Sequence, residues 1–345
     1  MHISEFYYQL PPELIAQEPL KRRDASRLLV LDRTKQTWFD EQFTALPNYL
    51  RPNDLLVINN TRVFPARLVG ERDPSGGRVE VLLVRELEPR LWEALVRPGH
   101  RLKCGARMRF GKAQLGAEVV AVLDEGLRVL RFVCDESFET VLDELGQTPL
   151  PPYIKRPTGS TPADRERYQT VYAAAPGAIA APTAGLHFTP CVMDEVLARG
   201  ARFAEITLHV GYGTFEPVRV ENIEGHKVAA ERFAISEVAA QMINDTRANG
   251  GRVIAIGTTT TRALESAVNA KGEIEAGGRF AGLTITAGYP FRVADALLTN
   301  FHLPSSSLLL LVCAFAGRGF VLDAYHHAVE ARYRFYSYGD CMLII

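Results

Sequence analysis

Residues 252–264 read RVIAIGTTTTRAL. A short apolar run enters a Gly-Thr turn, and residues that favour a helix leave it. The pattern predicts a buried strand over 252–256 and a helix over 261–269. Backbone N–H groups at such a helix start, beside four hydroxyls, suit a carboxylate, a phosphate or a ribose. The motif is neither a P-loop nor G-x-G-x-x-G, so a well-capped turn without a ligand is equally compatible with these residues.

Working outward, the same alternation of strand and helix runs from about residue 171 to the end. Thr189-Pro190 is a helix start, with Thr as cap and Pro at the first helical position. That helix should end near Gly200 and feed a strand over 202–209. Ser236 caps a second helix, closed by Gly250-Gly251. Two more helices are expected over 305–315 and 321–334. Near the N-terminus, DLLVIN at 54–59 is a continuous apolar run bounded by polar residues, as expected of a strand covered on both faces. Residues 62–150 differ: short alternating runs (GRVEVLLVR, LWEALVR, RMRFG, AEVVAVL, LRVLRFV) are separated by Gly, Pro and Asp, the rhythm of a small antiparallel barrel or sandwich. The expected fold class is α/β, a layered main domain (1–61 and 151–345) interrupted by an inserted antiparallel β-barrel (62–150).

Composition narrows the function classes. The chain has 345 residues, 47% hydrophobic and 23% charged, with a formal net charge of −1. This is the profile of a globular protein that is not basic throughout. The five cysteines form no C-x-x-C pair, which argues against cysteine-bound zinc or iron–sulfur and for reduced cytosolic thiols. The N-terminus lacks a signal-peptide pattern, and the apolar run 308–316 is too short to span a bilayer. A cytoplasmic protein with no membrane partner is expected.

Several segments could carry chemistry. APTAGLHFT (181–189) and TLHVGYGTF (207–215) each place one His among Gly and Thr, as in a ligand-facing loop. LLTNFHLPSSS (297–307) sets Asn300 and His302 at the capped start of a hydrophobic helix, although a loop histidine often only bonds backbone. No H-x-x-x-H or H-E-x-x-H spacing occurs, so no metal is expected. VRPGHRLKCGARMRFGK (96–112) holds Arg97, Arg101, Lys103, Arg107, Arg109 and Lys112 with no acid, a positive face suited to a polyanion. Its alternative is an exposed hairpin paired with acids such as Glu118. Lys155 and Arg156 add a second basic spot beside Tyr153, whose ring could stack on a base. The tail RYRFYSYGD (332–340) reads either as a binding surface or as the closure of a helical layer.

Taken in order, RDASRLLVLDR, DLLVINNTRVFPARL, GRVEVLLVR, ALVRPGHRLK, LPPYIKR, YQTVYAAAPGAIAAPTAGLHFT, TLHVGYGTF, GTTTTRALES, FRVADALLTNFHLPSSSLLLLVCAFAG and YRFYSYGD resemble one family across nearly the whole chain. That family is the S-adenosylmethionine:tRNA ribosyltransferase-isomerases of queuosine biosynthesis. The resemblance implies a cofactor-free transferase-isomerase with S-adenosylmethionine as a substrate and the tRNA anticodon region as partner. The ribosyl part of S-adenosylmethionine moves onto 7-aminomethyl-7-deazaguanine at the wobble position and rearranges, giving epoxyqueuosine, adenine and methionine. A monomer without an obligate protein partner is expected.

That chemistry needs a base beside the sulfonium, and a histidine with a modestly shifted pKa would suit it. His187, His209 and His302 are therefore expected around the sulfonium and ribose, with Asp295 on a ribose hydroxyl or the adenine edge. Thr258, Thr259, Thr260 and Arg262 are expected to hold the methionine carboxylate. Asn300, Tyr289 and Arg62 are further substrate contacts. Two segments depart from the family pattern. HKVAAERF (226–233) stands where HKMHSEYY is usual, and LTITAGYPF (283–291) stands where an IYPGY-like run is usual. A paralogue acting on a related base, or a non-enzymatic RNA-binding protein, are the other readings.

Overall fold

The structure is a computed structural model of the full chain and describes residues 1–157, 159–211, 218 and 220–345. Two compact units emerge, one of Met1–Arg62, Pro151–Lys155 and Arg167–Ile345, the other of Val63–Leu150 and Arg156–Glu166. The segment 156–166, assigned by sequence to the α/β domain, clusters with the second unit.

In chain order the strands are β1 Arg27–Asp32, β2 Thr37–Gln42, β3 Leu55–Asn59, β4 Thr61–Val63, β5 Arg67–Asp73, β6 Arg78–Glu88, β7 Leu91–Arg97, β8 Arg107–Phe110, β9 Leu115–Val122, β10 Leu127–Val133, β11 Ala175–Ala178, β12 Arg202–Leu208, β13 Glu231–Ile235, β14 Val253–Ile256, β15 Gly277–Ala281, β16 Ala296–Asn300 and β17 Cys341–Ile344. The helices are α1 Phe138–Leu145, α2 Pro162–Arg167, α3 Pro190–Ala198, α4 Glu237–Ala248, α5 Thr258–Ala267, α6 Ser307–Ala316 and α7 Arg318–Glu330. No single helix among the described residues is long and apolar enough to cross a membrane.

The second unit is built on a closed antiparallel barrel in the order β10-β7-β6-β5-β8-β9. Its strands alternate because one face fills the barrel and the other meets solvent. Val79, Val81 and Leu83 of β6 are fully buried. The expected insert of short antiparallel strands is this barrel.

The first unit holds a mixed sheet in the order β15-β13-β12-β3-β14-β16-β17-β1-β2. β12, β3, β14 and β16 run parallel to one another, whereas β17 runs antiparallel to β16. Both faces are covered. Leu55 and Val57 of β3 belong to one core with residues of α4, α5, α6 and α7, while Leu56 and Ile58 face a second core with Phe43, Leu46 and residues of α3. This two-sided burial explains the unbroken apolar run at 55–58, since neither face needs polar residues.

Helix starts follow the sequence signals. Thr189 Oγ1 accepts from Val192 N–H at 3.3 Å, and Ser236 Oγ accepts from Ala239 N–H at 3.1 Å. Two starts differ from expectation: α7 begins at Arg318, three residues before the predicted 321, and α5 begins at Thr258, three residues before the predicted Thr261. Threonine disfavours a helix interior, but here the hydroxyls of Thr260 and Thr261 donate to the carbonyls of Ile256 and Gly257, one turn back. Those bonds let the threonines form the first turn.

Sheet polarity decides where a site can lie. The carboxyl ends of β12, β3, β14 and β16 share one edge. Because β17 is antiparallel to β16, with Asn300 opposite Cys341, the segment just before β17 meets that same edge. β1 is parallel to β17, with Leu28 opposite Cys341, so Ser26 arrives there too.

Candidate active site

At this edge lies a cavity of ≈ 230 Å³. Gly257, Thr258 and Thr259 reach it from the end of β14, and Thr299 through Ser306 from the end of β16. Val210, following β12, closes one side, with Thr183 and Ala184 of the APTAGLHFT loop, and Tyr153, Tyr336 and Ser337 complete the wall. A crevice beyond the carboxyl ends of parallel strands is the usual ligand position in α/β sheets.

Two helices start at this cavity. Gly257, at φ 98°, turns the chain from β14 into α5 in a conformation that an L side chain rarely adopts. The first backbone bond closing α5 runs from Thr261 N–H to Gly257 C=O, so the N–H groups of Thr258, Thr259 and Thr260 precede the helix's own pairing. Ser306 caps α6, its hydroxyl accepting from Leu309 N–H at 3.3 Å and donating to Leu303 C=O at 2.8 Å. The positive ends of α5 and α6 therefore converge on one space. Two other wall residues, Ser305 and Tyr336, hold positive φ values of 54° and 71°. Strain of this kind persists only where surrounding contacts fix it.

The three predicted histidines take different places. His302 lines the cavity and is 7% exposed. Its Nε2 lies 2.9 Å from Thr299 Oγ1, its carbonyl accepts from the Tyr8 hydroxyl, and its N–H donates to Tyr325 Oη at 3.1 Å. That leaves Nδ1 with no hydrogen-bond partner among the described residues. His187 stands behind the wall: Nδ1 meets Ser26 Oγ at 2.7 Å, Nε2 meets Asn300 Nδ2 at 3.2 Å, and the ring packs on Phe43 at 5.3 Å. His209 is not in the wall. It bonds Thr61 Oγ1 at 2.9 Å, and a Cβ on Gly177 would lie 2.8 Å from its ring. The structure thus joins His302 and His187 through neighbouring residues of β16 and leaves His209 apart. The Tyr212–Phe215 part of the second loop lies outside the described residues.

Burial pushes the pKa of both His187 and His302 down from 6.5 to about 3. The modest shift expected from sequence is replaced by a large one, because both residues are buried and desolvation disfavours the imidazolium. Both rings are neutral in the folded protein, whereas the unfolded chain protonates them near 6.5. The unfolded state then binds more protons between these values. Stability should be flat above 6.5 and fall as pH drops towards 3, by up to about 1.4 kcal/mol per pH unit for each histidine. Urea midpoints measured near pH 7 and pH 5 check this. His187→Gln or His302→Gln should flatten the difference, and an unchanged pH slope in both would contradict the assignment.

Other predicted contacts are not brought to the cavity. Asp295 is exposed at the amino end of β16, where its Oδ2 accepts from Val253 N–H at 2.8 Å. Five strand residues, ~16 Å, separate it from the site edge. Arg262 is buried and committed internally: Nη1 pairs with Glu231 at 2.9 Å, Nη2 donates to Ala281 and Ala229 carbonyls, and Nε donates to Leu283 C=O. Tyr289 donates to Glu265 at 3.3 Å, away from the cavity, and burial first, then Glu265, pushes its phenol up to about 12. Arg62 is exposed and is not a wall residue. Of the predicted carboxylate cradle, Thr258 and Thr259 line the cavity, and Thr260 is turned back on Ile256.

The segments that depart from the family pattern also lie off the wall. Glu231 of 226–233 and Leu283 of 283–291 are both held by Arg262. Sequence reasoning missed Ser26, Phe301 and the wall role of Tyr153. The Tyr-rich tail was the available signal for Tyr336 and Ser337.

On the barrel, Arg97, Arg101 and Lys103 are exposed and have no carboxylate partner among the described residues. Arg107 and Arg109 are exposed and meet Glu118 and Glu71 at 3.3 Å, surface pairs of little strength. Arg156 is different. It is largely buried and holds Asp164 through two 2.9 Å bonds. The predicted basic spot thus retains only Lys155 as an exposed cation.

A crevice at the ends of parallel strands, two helix starts and a histidine in its wall are the marks of an α/β enzyme. Its sequence matches the family described as queuosine biosynthesis protein over residues 3–344. Proteins named S-adenosylmethionine:tRNA ribosyltransferase-isomerase are similar along the whole of both chains: 52% identical in Moorella thermoacetica, 49% in Caldanaerobacter subterraneus subsp. tengcongensis and 48% in Acetivibrio thermocellus. The crystal structure of S-adenosylmethionine tRNA ribosyltransferase from Thermotoga maritima is 37% identical, covers 99% of this chain and 100% of that one, and superposes with a TM-score of 0.56. The chain belongs to the queuosine biosynthesis protein family.

Proposed function

We propose that this enzyme transfers the ribosyl part of S-adenosylmethionine onto 7-aminomethyl-7-deazaguanine at the wobble position of tRNA, forming epoxyqueuosine and releasing adenine and methionine. The observation that carries the reading is the cavity wall itself, where the starts of α5 and α6 adjoin His302. The methionine carboxylate sits against the N–H groups of Thr258 and Thr259. His302 Nδ1 takes the proton from the carbon beside the sulfonium. Burial makes the empty-site imidazole a weak base, and the carboxylate that the substrate brings in raises its basicity. The reaction uses no cofactor beyond these substrates, and the enzyme works as a cytoplasmic monomer.

Incubation with S-adenosylmethionine and tRNA bearing the precursor base, read by mass spectrometry, tests the reaction. Adenine and methionine released only with that tRNA support it. S-adenosylhomocysteine as product would make the enzyme a methyltransferase instead.

The exposed cations of the barrel hold tRNA phosphates. Arg101→Glu combined with Lys103→Glu should weaken tRNA binding by ~10-fold or more and flatten its salt dependence, with S-adenosylmethionine affinity unchanged. Binding titrations at several salt concentrations check this, and an unaltered salt slope would remove the barrel from the RNA surface.

A further inference from the structure

Asn300 carries a buried acceptor without a partner. The residue is 2% exposed and forms part of the cavity wall. Its Nδ2 lies 3.2 Å from His187 Nε2, 3.1 Å from Tyr336 C=O and 3.4 Å from Asp340 C=O. Carbonyls can only accept, so a reversed amide would set Oδ1 against two oxygens; the orientation is fixed. The same logic fixes His187, whose Nε2 accepts from Asn300 while Nδ1–H donates to Ser26 Oγ at 2.7 Å. Oδ1 remains, buried and without a hydrogen-bond partner among the described residues. Such an acceptor is costly to leave unpaired.

The register of the sheet places this acceptor beside the start of α5. Ile256 is paired with Leu298 on parallel strands, and Gly257 N–H donates to Leu298 C=O at 2.8 Å. Thr258 and Asn300 each follow that pair by two residues, one opening α5 and the other ending β16, and both line the cavity. N–H donors that precede the pairing of α5 and an acceptor without a partner among the described residues, set in one cavity wall, match in kind the two ends of an α-amino acid, a carboxylate and an ammonium.

We infer that Asn300 Oδ1 accepts a hydrogen bond from the α-ammonium of the substrate's amino-acid half, whose carboxylate the start of α5 holds. His187 is a positioning residue that locks the Asn300 amide. This rests on S-adenosylmethionine occupying the cavity, and it assigns His187 a role other than proton transfer.

The test is calorimetric binding of S-adenosylmethionine, and of its analogue with hydrogen in place of the α-ammonium, to the full-length enzyme. The wild type should prefer the parent by ~10- to 100-fold. Asn300→Ala should weaken binding of the parent by that factor, affect the analogue little and bring the ratio near one. His187→Leu releases the amide and should shrink the ratio, whereas His187→Gln, which keeps an acceptor, should restore it. Thermal unfolding reports whether each variant is folded. Should His187→Leu not fold, Asn300→Ala and His187→Gln decide the matter. A wild-type ratio in Asn300→Ala overturns the inference, as does a collapse of discrimination against the 2′-deoxy sugar instead. A wild-type protein that binds no S-adenosylmethionine overturns the functional reading as well.

Discussion

His302→Gln should lower the rate of adenine release from S-adenosylmethionine by ~10²- to 10⁴-fold, the usual contribution of a positioned general base. Affinity for S-adenosylmethionine should stay near the wild-type value, because the effect falls on proton removal. The reasoning is geometric. Of the three histidines in Gly- and Thr-rich segments, His302 alone is in the wall, with one ring nitrogen held by Thr299 and the other open. His187 has both nitrogens engaged, and His209 bonds Thr61 elsewhere. Steady-state kinetics with precursor tRNA, analysed as separate kcat and KM, provide the check. A His302→Gln enzyme that keeps wild-type kcat would remove His302 from the chemistry.

Arg262→Ala should destabilise the folded protein by about 3–5 kcal/mol, the range for breaking a buried ion pair from one side. Arg262 and Glu231 are 3% and 5% exposed, so loss of the guanidinium removes the paired cation from a buried carboxylate. It also leaves the carbonyls of Ala229, Ala281 and Leu283 without their donor. Replacing both partners by apolar residues of similar volume should recover part of the loss. Urea unfolding of the single and double variants measures this. A carboxylate-binding arginine would behave in the opposite way, with weakened S-adenosylmethionine binding and near-normal stability.

These two expectations mark where sequence reading stopped. The apolar run at 55–58 and the caps Thr189 and Ser236 were legible because they act through neighbours in the chain. So was the clustering of Asn300 and His302, which lie in one short loop. Arg262 was misread because its partner is 31 residues away, and only the folded sheet brings Glu231 beside it. Asp295 was misread because nearness in sequence to Asn300 hides strand polarity: an extended strand carries its two ends to opposite edges. Arg156 looked like Lys155, yet Asp164, eight residues on, turns it inward. β17, CMLI, offers neither alternation nor a turn signal, so its pairing with β1 and β16 depends wholly on the finished sheet.

The manner in which Arg262 grips its surroundings has an evolutionary corollary. Three of its contacts are to peptide oxygens, which every amino acid supplies, and one is to Glu231. Side chains around those oxygens are free to drift while the path of the chain stays the same. Within HKVAAERF (226–233), Glu231 is the acid that the arginine requires, so substitutions should be tolerated where the anchor is main chain and resisted at position 231.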